Sequence, residues 1–70
     1  MSNAQSINTE SNINLFASEI VRLKEVYARA TATMDGELCG RVINSYRDLC
    51  EVIATLGLDW ALINAAVKAS

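Results

Sequence analysis

Wound at about 100° per residue, the stretch from Glu37 to Leu56 sorts its residues into three stripes. Glu37, Arg41, Asn44, Asp48, Glu51 and Thr55 form a polar stripe that belongs in water. Leu38, Val42, Ser45, Leu49, Val52 and Leu56 run beside it, and Cys39, Ile43, Tyr46, Cys50 and Ile53 run beyond them. The two largely apolar stripes span about half the circumference, more than one neighbouring helix covers. A central helix over 37–56 is therefore expected, its core completed by another chain or by a further helix of its own.

A first helix is predicted over 11–33. Ile13, Phe16, Ile20, Leu23, Tyr27, Ala30 and Met34 recur at alternating steps of three and four, an a/d stripe of about three heptads. Thr9, Ser11 and Asn12 can cap its start, and Glu10 complements the helix dipole there. Asp35-Gly36 is the expected break, with Gly36 supplying a left-handed residue and Asp35 capping the next helix. A connection this short makes the two long helices antiparallel neighbours. Gly36 and Gly40 form a GxxxG spacing, expected to let backbones approach closely. Glu25–Arg29, Glu37–Arg41 and Arg47–Glu51 are spaced for i,i+4 ion pairs.

Leu56-Gly57-Leu58-Asp59 reads as a stop and a restart. Gly57 suits the position just past a helix, Asp59 suits an N-cap, and Leu58 with Ile63 suits a hydrophobic staple. The third helix, over 59–69, is short, and its pattern fits either folding back over the second helix or projecting to a partner. Residues 1–10 are polar apart from Ile7 and are expected to be a flexible arm, leaving 11–70 as one helical domain. The fold class is all-α: an antiparallel helical hairpin plus a short third helix, forming a bundle on self-association or partner docking.

Composition narrows what such a domain can do. Seventy residues hide only about 60% of the surface of the unfolded chain, so small scaffolds usually add disulfides, a metal or self-association. There is no histidine and there are only two cysteines, so neither a Cys/His zinc site nor a His-based nucleophile can be built within one chain. On one helix Cys39 and Cys50 lie about 16 Å apart in rise, too far for an internal disulfide. They are expected to pack as small hydrophobes in a reducing cytoplasm. Cys39, in the first turn of its helix, is the one position where a dipole favours thiolate. No P-loop or dinucleotide fingerprint occurs. The chain is expected to be non-enzymatic and without cofactor or metal.

The net charge of −2 lacks the basic excess that seeks a polyanion, and no uncharged run reaches the length of a membrane span. The alternative of a small helix-turn-helix DNA-binding regulator rests on Gly57-Leu58-Asp59 between two helices. Its third helix, however, offers only Asn64 and Lys68 to bases and phosphates. The expected function is protein binding by a small regulator, inhibitor, adaptor or chaperone, with another protein or a second copy (a homodimer) as partner and neither nucleic acid nor membrane. Cys39, Ile43, Tyr46, Cys50 and Ile53 on the second helix, and Trp60, Ile63 and Val67 on the third, are the candidate contact residues. Trp60 suits either a core position or a binding hot spot. The architecture is similar to that of small helical-hairpin secretion co-chaperones and of phage or bacterial regulators that inhibit by binding, a likeness of fold without a shared motif.

Overall fold

The computed structural model describes residues 7–70, and these form three helices: α1 (Glu10–Ala32), α2 (Gly36–Leu56) and α3 (Trp60–Ala69). The fold is all-α, with no strand among the described residues.

Each start is capped as the side-chain chemistry requires. Thr9 Oγ1 accepts from the Asn12 backbone N–H at 3.2 Å, Asp35 accepts from Leu38 N–H at 3.0 Å, and Asp59 accepts from Ala61 N–H at 2.9 Å. The two internal ends close by the same device. At the end of α2, Leu58 N–H donates to the Ile53 carbonyl and Gly57 N–H to that of Ala54, with Gly57 left-handed at φ 75. This is the Schellman pattern. At the end of α1, Asp35 N–H donates to the Ala30 carbonyl and Met34 N–H to that of Thr31.

Here the left-handed residue is Met34, at φ 57, and not Gly36, which is the first residue of α2. The helix runs to Ala32, so the reversal falls two residues before the glycine. A non-glycine residue in that conformation costs about 1–2 kcal/mol, and Met34, 90% exposed, has little packing to offset it. Met34→Gly should therefore stabilise the chain by about 0.5–1 kcal/mol once the extra backbone entropy of glycine is deducted. Gly57→Ala should destabilise it by about 1 kcal/mol. An added Cβ at Gly57 meets nothing within 4 Å, so that cost comes from the backbone alone. Urea denaturation of the two variants should move the midpoint in opposite directions.

Gly36 and Gly40 likewise have open space where a Cβ would stand, so the GxxxG spacing brings no backbone close within this chain. Of the expected ion pairs, Glu37–Arg41 forms at 2.9 Å. Among the described residues the other is Glu19–Arg22, and neither Glu25–Arg29 nor Arg47–Glu51 closes. Exposed i,i+4 pairs contribute only about 0.3–0.5 kcal/mol, too little to hold long side chains in one geometry.

α1 is the hub. Both α2 and α3 pack principally on it, so α3 folds back over the first helix and not the second. The core is a cluster of Ile13 and Ile20 from α1, Ile53 from α2, Leu58 from the turn and Ile63 from α3. Leu58 and Ile63 meet there, as a staple across the Asp59 cap requires.

Part of the segment expected to be an arm makes contacts with the helices. Ile7 packs against the core, and Asn8 Oδ1 accepts from Asp59 N–H at 2.8 Å, joining the start of the chain to the α2–α3 turn. The remainder of that expected arm, residues 1–6, lies outside the described residues. Asn8→Ala should cost about 0.5–1.5 kcal/mol in thermal or urea unfolding, since it removes the partner of that N–H.

Candidate functional site

Helix length sets where the core stops. At about 1.5 Å per residue, α1 and α2 are each more than 30 Å long and α3 about 15 Å. A helix of that length covers only half of the hairpin. The residues record the boundary. On α1, Ile13, Ala17, Ile20, Lys24 and Tyr27 follow steps of four, three, four and three along one row. The first three are buried, whereas Lys24 is exposed and Tyr27 is 41% exposed. On α2 the row runs the other way: Ile53 is fully buried, Cys50 half-buried, Tyr46 41% exposed and Ile43 48% exposed. In the half of the hairpin that α3 does not reach, Lys24, Tyr27, Ile43 and Tyr46 are exposed, while Leu23, Ala30 and Val42 between the two helices stay buried and Cys39 is half-buried.

At this uncovered end lies a groove of about 270 Å³ between Leu23, Lys24 and Tyr27 of α1 and Val42, Ile43 and Tyr46 of α2. Its lining is apolar apart from the two phenol hydroxyls and one charged group, Lys24. Leu23 and Val42 form its buried floor, and the two tyrosines and Ile43 form its walls. Partial burial, with the Cys50 thiol nearby, pushes the Tyr46 phenol above its ordinary range. The hydroxyl can donate or accept a hydrogen bond at the groove's edge.

The candidate contact residues divide three ways. Ile43 and Tyr46 line the groove and face solvent. Cys39, Cys50, Trp60 and Val67 are half-buried, and the last two pack against the core cluster. Trp60 thus lies against the core without being enclosed by it. Ile53 and Ile63 are 0% exposed and belong to the chain's own interior, because α1 and α3 together enclose them. Leu23, Lys24, Tyr27 and Val42 complete the groove and were not among the candidates. The signal for them is the mismatch between a helix of ten residues and a hairpin twice as long, combined with the a/d stripe that carries Leu23 and Tyr27.

Elsewhere the chemistry is sparse. Cys39 and Cys50 are free thiols on the same helix. Among the described residues no three His, Cys, Asp or Glu side chains come together as a metal would need. No described helix is long and apolar enough to cross a membrane. The exposed polar side chains of α3 are Asn64 and Lys68. Compared with protein-family models, curated proteins and solved structures, the chain matches none.

Proposed function

We propose that this chain is a non-catalytic protein-interaction module, a small regulator, inhibitor or adaptor that binds a larger protein through the groove at the uncovered end of the α1–α2 hairpin. The observation that supports this most directly is the exposure of Tyr27, Ile43 and Tyr46 around a floor of buried Leu23 and Val42, in the half of the hairpin that α3 leaves uncovered. Exposed apolar side chains gathered around one groove are the usual form of a contact site when polar residues rim them. Tyrosine in particular supplies large contact area at low cost in conformational entropy.

The groove is also of a kind that takes helices. Two packed helices leave a furrow about as wide as a third, and apolar residues at i, i+3 and i+4 are what a partner helix inserts into it. The test combines light scattering over a range of concentrations with affinity capture from the native host, using the whole chain as bait. A retained protein, or a defined oligomer, is the expected result. A monomer at every concentration that retains no protein, or that binds duplex DNA with strong salt dependence, would overturn the reading.

A further inference from the structure

We infer that the groove takes an amphipathic helix of another protein whose apolar stripe is edged with Asp or Glu. This rests on the protein-interaction reading above and adds the chemistry of the partner. The support is charge. Lys24 is the only charged residue in the lining, and Arg47, outside the lining, is exposed one helical turn along α2 from Ile43. Neither is in an ion pair, since those among the described residues join Glu19 to Arg22 and Glu37 to Arg41. Helical rotation carries Glu25 and Asp48 away to the far sides of α1 and α2. Glu51 lies one turn past Arg47, beyond the groove, and is not bonded to it. A chain of net charge −2 thus presents one unpaired cation in the lining of this apolar groove and a second within a helical turn of it.

The same charges disfavour a second copy in this position. A two-fold dimer through the groove sets the same patch against itself and would crowd two copies of Lys24 and Arg47 together. An acid-edged helix instead gives each cation a partner while its apolar stripe covers Tyr27, Ile43 and Tyr46. Such rim charges select partners and speed encounter more than they add affinity.

The experiment uses the full chain and two fluorescein-labelled synthetic peptides, each about five helical turns long. Both carry the same leucine stripe, flanked by Glu in one and by Lys in the other, and binding is read by anisotropy. The Glu-flanked peptide should bind about five- to tenfold more tightly at low salt, with the gap closing at high salt. K24E/R47E should reverse the order, and its thermal melt by circular dichroism should stay close to the parent's, because both side chains are exposed and the like-charge spacing created with Glu51 is a small cost. K24Q/R47Q should abolish the preference without reversing it.

Equal affinity for the two peptides, or a preference that survives K24E/R47E, overturns the acidic-partner inference and leaves a protein-binding groove standing. Failure of both peptides to bind while light scattering shows a dimer also overturns it, in favour of self-association. Failure of both with a lone monomer that captures nothing overturns this inference and the protein-interaction reading together.

Discussion

Replacing Ile63 by alanine should leave much of the chain unfolded at 25 °C. Ile63 is 0% exposed and the only buried residue of α3, and it holds that helix to Ile13 and Ile20 of α1 and Ile53 of α2 through one shared cluster. Buried Ile→Ala changes cost about 2–5 kcal/mol, the lost transfer energy plus the cavity left behind. A core this small rarely supplies more than about 3–5 kcal/mol in all, so the expected loss is comparable with the whole stability. Nor can α3 compensate locally, because a helix of ten residues is marginal in water without tertiary packing. Urea and thermal unfolding followed by circular dichroism, with Trp60 fluorescence as a second probe, should show a collapse of the transition. Leu62→Ala is the matched control, since Leu62 is 45% exposed on the same helix and should cost less than about 1 kcal/mol. Equal effects from the two substitutions would mean that α3 is not held by Ile63 as described.

That contrast also explains what could be read from the sequence. The helices fall within one residue of the expected spans because their boundaries are local chemistry: Thr9, Asp35 and Asp59 as caps, Gly57 as a left-handed stop. Met34 escaped the same logic. Backbone hydrogen bonding at the end of α1 decides which residue turns left-handed, and a glycine two positions later does not attract the turn to itself. The breadth of the apolar arc on α2 was equally legible, and it is indeed wider than α1 covers, leaving Ile43, Tyr46, Val52 and Leu56 each more than 40% exposed.

Periodicity says how much of a helix is apolar, yet not which part of its length receives a neighbour. Ile43 and Ile53 are the same residue type on the same stripe, one 48% exposed and the other fully buried. What separates them is the placement of α3 on α1, and that depends on contacts between residues some fifty positions apart, such as Asn8 with Asp59. The candidate site was therefore half legible: Ile43 and Tyr46 by their stripe, and the α1 side, with Leu23 in the floor and Lys24 and Tyr27 above it, only once α1 and α2 were set side by side.

Ile43→Asp should weaken binding of the Glu-flanked helical peptide by about thirtyfold, while leaving the fold in place. Ile43 is the most exposed apolar residue in the groove wall, so the free protein loses little by its removal. The lower helix propensity of aspartate in α2 costs about 0.5 kcal/mol. In the complex the same position is covered. An aspartate there forfeits the burial of an isoleucine, must lose its hydration against a leucine stripe, and stands near the partner's acidic edge. A loss of about 2 kcal/mol, the size typical of a central contact residue, corresponds to roughly thirtyfold in affinity. Anisotropy titrations and circular dichroism melts on the same samples separate the two quantities. Peptide affinity equal to the parent's would place the binding surface elsewhere. A melt lowered as far as that of Ile63→Ala would show instead that Ile43 already serves the chain's own core, and the groove would then not be open to a partner at all.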